Sequence, residues 1–119
     1  MKKTLVFGAS LKPGRYSNLT IRKLMANGIE TVAFGHNSGE VSGIQITTNL
    51  QDFHNIHTIT LYLNPVVQPN FYQKIVDLRP KRVIFNPGTE NSEFYEILKK
   101  SNIEVEVACS LVLLATRQY

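Results

Sequence analysis

Short apolar runs alternate with longer amphipathic segments along this chain of 119 residues. The runs are rich in Val, Ile, Leu, Phe and Thr, and most of them are followed by Gly, Asn or Pro, which is typical of buried β-strands. They predict five strands, at Thr4–Gly8, Thr31–Phe34, Thr58–Leu63, Arg82–Phe85 and Glu104–Val107.

Apolar side chains at helical spacing lie between these strands. Ile21, Leu24 and Met25 follow an i, i+3, i+4 pattern and predict one amphipathic helix. Ser and Asn are favourable N-cap residues, so we expect this helix to begin at Ser17 or Asn18. Further helices are predicted around residues 72–76, ending before Pro80, around residues 94–98, and from residue 110 to about residue 117.

Strands that alternate with helices indicate a parallel sheet covered on both faces. Right-handed crossovers then produce a doubly wound sheet. We therefore predict one α/β domain over residues 1–119 with a doubly wound, five-stranded parallel sheet. The Gly-, Ser- and Asn-rich segment HNSGEVSGIQITTNL interrupts the alternation of strands and helices, and we predict a loop excursion there. Within it, Ile44–Ile46 is a candidate for a short edge strand.

Composition and charge narrow the function classes. Thirteen Lys and Arg against nine Asp and Glu leave a net charge of +4, which suits an anionic ligand. The basic residues are scattered, so we do not expect nucleic-acid binding, and no apolar run approaches the roughly 20 residues of a membrane span. The apolar stretch near the N-terminus is too short for a secretory signal. The single cysteine, Cys109, excludes an intrachain disulfide framework and favours a cytoplasmic location.

The ends of the predicted strands carry unusual residues. In open α/β sheets, ligands bind outside the carboxyl ends of the strands, where Gly permits close backbone approach and Asn offers a donor and an acceptor. The sequence therefore predicts a ligand crevice at this edge of the sheet. The residues are Gly8-Ala9-Ser10, Gly35-His36-Asn37, Asn64-Pro65 and Asn86-Pro87-Gly88.

The loop GASLKPGRYSN is the most informative motif, because it joins a strand to a helix and can present backbone N–H groups to an anion. Ser10 and Ser17 offer hydroxyl donors, and Arg15 offers a forked contact to phosphate. The motif departs from GxGxxG, and no acid follows the second strand, which disfavours NAD. Coenzyme A (CoA) and NADP, which carry an extra ribose phosphate, both stay open.

Catalytic motifs are missing from the sequence. It contains neither the GxSxG nucleophile elbow nor the P-loop GxxxxGK[ST], so we assign no catalytic residue. His54 and His57 lie in a loop and at a strand start with no cysteine nearby, and we predict no metal site there. Glu90 and Glu93 fit a helix cap and first turn better than an acid–base pair.

The motifs GAS…PGRYSN, GHNSGEVSGIQI, LYLNP, RVIFNPGTEN and ACSLVLL occur in this order over nearly the whole chain. Together they resemble the family of small CoA-binding proteins with a Rossmann-like fold, which is related to the CoA-binding domain of succinyl-CoA ligase α subunits. The resemblance implies that the nucleotide end of CoA or an acyl-CoA lies across the strand ends. It implies no particular reaction.

The resemblance also assigns roles to residues. Gly8, Ala9 and Ser10 would line the pyrophosphate, with Arg15 and Ser17 nearby. The remaining positions would be Gly35 and His36 beside the adenosine ribose, Asn64 and Pro65 beside the adenine or ribose, and Asn86, Pro87 and Gly88 towards the pantetheine. Family members often have a basic residue where this chain has His36, and a largely neutral imidazole is a weaker phosphate partner.

Several aromatic and sulfur positions have two interpretations. Tyr16 either stacks on an adenine or packs against the sheet, whereas Tyr62 belongs to the core by alternation. Cys109 is either a half-buried structural residue or a group near the pantetheine thiol. Tyr119 either packs on a neighbouring subunit or frays. Alternatives to a binding protein are an NADP- or acyl-CoA-using enzyme and a nucleotide-sensing regulatory module. The sequence leaves protein partners and oligomeric state open.

Overall fold

One sheet organises the fold in a computed structural model that describes residues 2–119. Its strands pair in the spatial order β3-β4-β2-β1-β5-β6-β7. Their bounds are β1 Thr4–Phe7, β2 Thr31–Phe34, β3 Gly39–Val41, β4 Ile44–Thr47, β5 Thr58–Leu61, β6 Arg82–Phe85 and β7 Glu104–Val107. The sheet thus has seven strands, and the predicted number of five was wrong.

The two additional strands come from the segment after β2. β3 and β4 form a hairpin whose turn residues, Ser42 and Gly43, both have positive φ, as in the tight turns that match strand twist. β4 pairs parallel to β2, and β3 pairs antiparallel to β4 at the sheet edge. The segment 44–46 is therefore a strand, as the sequence suggested, but it lies one position inside the edge.

All strands except β3 form a parallel, doubly wound arrangement of six strands. Successive parallel strands run outward from β1 through β2 to β4, and then from β5 through β6 to β7 on the other side of β1. This is the strand order 3-2-1-4-5-6 of a Rossmann sheet when only parallel strands are counted. The order in which successive strands are added to the sheet reverses between β1 and β5, although both strands run parallel. A crevice forms at such a reversal.

Helices cover both faces of the sheet, as the alternation of buried side chains requires. On one face Leu5 and Phe7 pack with the apolar stripe of two helices, whereas on the other face Val6 packs against Ile21 and Leu24. The helices are α1 Tyr16–Ala26, α2 Tyr72–Asp77, α3 Ser92–Lys100 and α4 Ser110–Ala115, with 3₁₀ turns at Leu50–Asp52 and Gln68–Phe71. Within residues 2–119, no helix has both the length and the apolarity needed to cross a membrane.

The start of α1 differs from the prediction. The N-cap residue is Arg15, with extended backbone and no side-chain cap, so the expected cap at Ser17 or Asn18 was wrong. Both of those residues lie buried in the first turn. The Asn18 side chain donates instead to the main-chain oxygen of Ser10 at 2.9 Å, which fastens the preceding loop to the helix.

Tyr119 packs against its own chain, so the frayed tail was wrong, and a contact with a neighbouring subunit stays a prediction. Its hydroxyl is 2.6 Å from Thr4 Oγ1, and the Arg82 guanidinium lies 4.5 Å from the centre of its ring. Arg82 is itself buried and donates to Thr58 and to Glu106. These contacts close the amino-terminal edge of the sheet, opposite the crevice.

Candidate ligand-binding site

A cleft of about 440 Å³ opens at the carboxyl ends of β1, β2 and β5, where the strand order reverses. Its walls are residues 8–12 and 15–17 after β1, residues 34–37 at the end of β2, and residues 62, 63 and 71. This volume is within the range of roughly 300–1,000 Å³ that small-molecule sites occupy.

The cleft brings together eight of the residues that the sequence predicted as ligand-binding. They are Gly8, Ala9, Ser10, Arg15, Tyr16, Ser17, Gly35 and His36. Five others, Asn64, Pro65, Asn86, Pro87 and Gly88, do not line it. Lys12, Phe34 and Phe71 do line it but were not selected from the sequence. Lys12 lies inside the loop motif, so that motif was the available signal for it.

The charge of the lining is entirely positive. Lys12 and Arg15 contribute two cationic side chains, both exposed, and no Asp or Glu is among the lining residues. The first turn of α1 likewise contains no acid, so its positive dipole end is not neutralised by a side chain. The cleft therefore favours an anionic group.

Backbone donors in the loop divide into used and unused groups. Gly8 and Ala9 both donate to the main-chain oxygen of Phe34, at 2.9 and 2.8 Å, so neither N–H group is available to a ligand. The N–H groups of Ser10 and Leu11 have no acceptor within residues 2–119. The first N–H groups of α1 have no intrahelical acceptor either. The N–H groups of Lys12 and Arg15 donate within the loop, so the unused donors near the cleft are those of Ser10, Leu11 and the first turn of α1.

The two strand-end glycines are required by packing around the cleft. A Cβ at Gly35 would stand 2.4 Å from the carbonyl oxygen of Ala9. Gly8 has φ +96°, and a Cβ there would lie 3.0 Å from the main chain of Tyr62. At both positions the missing side chain lets the loop and the strand ends approach each other, and approach of a ligand to this backbone stays a prediction.

One wall of the cleft is apolar and aromatic. The rings of Phe34 and Phe71 lie 5.8 Å apart, and each also contacts the buried Phe7, at 4.8 and 5.3 Å. Leu63 adds an aliphatic surface to the same cleft. Tyr16 also lines the cleft, and 72% of its surface is exposed. A flat heterocycle has apolar surface to contact here, in the same cleft as the two cationic side chains.

Asn86 lies below the rim and is fully hydrogen-bonded within the protein. Its Nδ2 donates to Thr60 Oγ1 at 2.7 Å and to the Leu61 carbonyl at 3.0 Å, and its Oδ1 accepts from the Ser110 N–H at 2.8 Å. Only 1% of Asn86 is exposed. The side chain therefore joins β5, β6 and α4, whereas its neighbours Pro87 and Gly88 are exposed at the rim.

Local hydrogen bonds account for the other polar rim residues. Asn64 Oδ1 accepts from the Val66 N–H at 2.9 Å, which shapes the turn after β5. Glu90 accepts from the Gly88 N–H at 2.9 Å, and Asn91 caps α3 by accepting from the Phe94 N–H. Glu93 lies in the first turn of α3, as predicted.

Tyr62 is half-buried and reaches the cleft, so the prediction of a core residue was incomplete. Burial raises the pKa of its hydroxyl, while hydrogen bonds with Thr20 and Thr60 oppose that rise. Cys109 is half-buried at the N-cap of α4. Among residues 2–119, no three His, Cys, Asp or Glu side chains come together as a metal site.

The fold and the cleft together define a class of protein. A doubly wound sheet with a positively charged cleft at its reversal point is typical of Rossmann-type domains that bind nucleotides. Residues 2–115 match the family described as CoA binding domain, and the chain belongs to that family. The family resemblance noted from the sequence motifs is confirmed by this match.

Solved structures share the fold. An uncharacterized protein with a crystal structure is 43% identical, with a TM-score of 0.96 over 100% of this chain and 98% of that chain. Cell-free ID.343 from Thermus thermophilus is 24% identical, with a TM-score of 0.87 over 99% of this chain and 90% of that chain.

The fold also occurs within larger proteins. The dinucleotide-forming acetyl-coenzyme A synthetase 1 of Ca. Korarchaeum cryptofilum, in complex with phosphate and ADP, is 15% identical. Its TM-score is 0.71 over 87% of this chain and 25% of the synthetase, a likeness of fold alone. No curated protein matches the sequence.

Proposed function

We propose that this protein binds CoA or an acyl-CoA through its nucleotide end, in the cleft between β1, β2 and β5. The observation that carries the proposal is the lining of the cleft, which has two cationic side chains, no carboxylate and unused N–H donors. Phosphates carry most of the negative charge of CoA, and charge-assisted bonds to them are strong. Membership of the CoA-binding domain family supports CoA over other phosphorylated nucleotides.

The phosphates belong at the loop between β1 and α1. Ser10 offers an unused N–H group, Arg15 offers a fork of donors at the N-cap of α1, and Ser17 lies in the first turn. Lys12 adds a second cation to the same wall of the cleft. Gly8 and Ala9 support this site as its floor, because their N–H groups are held by Phe34.

The adenosine belongs at the other wall. Gly35 and His36 follow β2 beside the phosphate loop, a position suited to the ribose. Phe34 and Phe71 provide apolar surface for the adenine, and Tyr16 can cover it from outside. The pantetheine then extends along the rim, past Asn64 and Pro65 and towards Pro87 and Gly88. In this arrangement Asn86 shapes the rim through its internal bonds.

We assign no reaction to this site. Binding without turnover suits a carrier or a sensor, and Cys109, the one thiol of the chain, does not line the cleft. The absence of an acid after β2, where NAD-binding domains hold a ribose hydroxyl, favours CoA over NAD.

The proposal is tested by native mass spectrometry of the purified protein and by calorimetric titration with CoA, acetyl-CoA, NADP and NAD. We expect one molecule of CoA or acetyl-CoA to bind per chain, with NADP weaker and NAD weakest. Tighter binding of a nicotinamide cofactor would replace CoA as the ligand. Absence of binding by all four would overturn the proposal.

A further inference from the structure

We infer that Asn18 and Arg22 of α1 are positioning residues that hold the phosphate loop in its binding conformation. This inference rests on the proposed function, and it concerns residues that do not line the cleft. The two side chains and their bonds to the loop are called the Asn18–Arg22 clasp below.

The clasp makes hydrogen bonds to two main-chain carbonyl groups of the loop. Asn18 Nδ2 donates to the Ser10 carbonyl at 2.9 Å, and an Arg22 terminal nitrogen (Nη2) donates to the Pro13 carbonyl at 3.1 Å. Arg22 Nε also donates to Asn18 Oδ1 at 3.0 Å. The two residues are four apart on one helix face, so each can hold the other in place. Asn18 is only 3% exposed, which shields its amide from competing water.

Because the peptide bond is planar, holding a carbonyl group in place also orients the N–H group of the next residue. In a trans peptide, the carbonyl of one residue and the N–H group of the next point in opposite directions. The chain has no cis peptide bond among residues 2–119. Because the clasp turns the carbonyls of Ser10 and Pro13 towards α1, the N–H groups of Leu11 and Gly14 face away from it.

Neither of these N–H groups has an acceptor within residues 2–119, and Leu11 lines the cleft. The loop also has little regular structure, since residues 8–15 contain turns and bends only. A loop of this kind loses entropy when a ligand orders it, and bonds that order it in advance reduce that loss. The clasp therefore strengthens phosphate binding without touching phosphate.

The test compares CoA affinity of the wild-type protein with that of Asn18→Ala, Arg22→Lys, Arg22→Met and Lys23→Met. Lys23 is an exposed cation on the same helix with no hydrogen bond of its side chain to residues 2–119, so Lys23→Met is matched to Arg22→Met in charge. We expect Asn18→Ala, Arg22→Lys and Arg22→Met each to weaken CoA about five- to tenfold, the effect of one lost hydrogen bond. Lys23→Met should stay within about twofold.

Two further measurements separate positioning from other roles. Raising the salt concentration screens exposed charges, so the difference between Arg22→Met and Lys23→Met should persist in high salt. Backbone ¹⁵N relaxation of the ligand-free proteins should show more motion at Leu11 and Gly14 when the clasp is broken. Combining Asn18→Ala with Arg22→Lys should weaken CoA little more than either change alone, because both act through one clasp.

Wild-type CoA affinity in Asn18→Ala and Arg22→Lys would overturn the inference and leave the proposed function intact. An equal loss in Lys23→Met and Arg22→Met would also overturn it, since charge alone would then explain the effect. If the wild-type protein binds no CoA, the proposed function fails. Independently of CoA, unchanged ¹⁵N relaxation at Leu11 and Gly14 in the variants would show that the clasp does not order the loop, and would overturn the inference. Urea unfolding of each variant checks that it folds, and Arg22→Lys changes an exposed side chain only.

Discussion

Replacing Gly35 by Ala tests how tightly the strand ends are packed beneath the cleft. The new Cβ would stand 2.4 Å from the Ala9 carbonyl oxygen, whereas real Cβ contacts stay beyond 3.0 Å. The loop after β1 or the end of β2 must therefore move by at least about 0.6 Å. The obstacle is main chain, which cannot rotate aside as a side chain can.

The expected cost follows from this overlap. Gly35 does not have a positive φ, so Ala is strained there only by the contact. Overpacking of this kind costs about 1–3 kcal/mol of unfolding free energy. At ~4 °C per kcal/mol for a domain of this size, Tm should fall by about 4–12 °C. Ala9 adjoins Ser10, so the displaced loop should also weaken CoA by about fivefold or more.

Two other glycines provide matched controls. A Cβ at Gly14 meets nothing within 4 Å and φ is not positive, so Gly14→Ala should be neutral or up to about 1 kcal/mol stabilising. Gly28 also faces open space, but its φ of +70° should make Gly28→Ala cost about 1–2 kcal/mol without affecting CoA.

Urea unfolding, monitored by far-UV circular dichroism, measures the free energy of unfolding, and calorimetry measures CoA affinity. If Gly35→Ala kept both the stability and the CoA affinity of the wild-type protein, the argument from close packing at the cleft floor would be refuted. A loss equal to that of Gly28→Ala, with normal CoA binding, would refute its link to the phosphate loop.

Three further predictions concern single side chains. Arg15→Ala should weaken CoA by about 1.5–3 kcal/mol in calorimetry, and an unchanged affinity would remove Arg15 from the site. Asn86→Ala removes three buried hydrogen bonds and leaves the Ser110 N–H group without its acceptor, so urea unfolding should show a loss of about 2–4 kcal/mol; a loss well under 1 kcal/mol would contradict the network. Desolvation, and then the charges of Arg82, Lys2 and Lys81, lower the pKa of His57 from 6.5. Because the pKa of His57 is lower in the folded protein, the unfolded chain binds a proton on this imidazole more readily. His57 therefore favours folding above pH 6.5, and this contribution to stability is lost as the pH falls through the lowered pKa. His57→Gln should flatten the dependence of stability on pH below 6.5, and an unaltered slope would count against this origin.

Strand positions were the part of the fold that the sequence predicted best. The bounds of Thr31–Phe34, Arg82–Phe85 and Glu104–Val107 are the same in the structure, because β-branched and aromatic residues are concentrated there between turn residues. β3 was missed because Gly39-Glu40-Val41 has no apolar pattern of its own. Pairing with β4 makes it a strand, and such pairing is a tertiary effect that local propensity does not contain.

The candidate site was predictable where the backbone dominates. A strand, a glycine and a helix start suffice to place Gly8 to Ser17 at one rim, whichever way each side chain points. Asn86 carries the same signal of a polar residue at a strand end, yet its side chain turns inward to Thr60 and Ser110. Side-chain direction depends on neighbours that are distant in sequence, and Phe71 reaches the cleft for the same reason.

The pairing of Gly8 and Ala9 with a single oxygen of Phe34 has a consequence for kinetics. It makes the base of the cleft an extension of the strand ladder between β1 and β2, which cannot open without breaking the sheet itself. An incoming molecule therefore meets a cleft base, formed by Gly8 and Ala9, that is already in its final shape. Its capture should then be limited by diffusion and orientation, without a slow opening step, and affinity should differ among acyl forms mainly through their rates of dissociation.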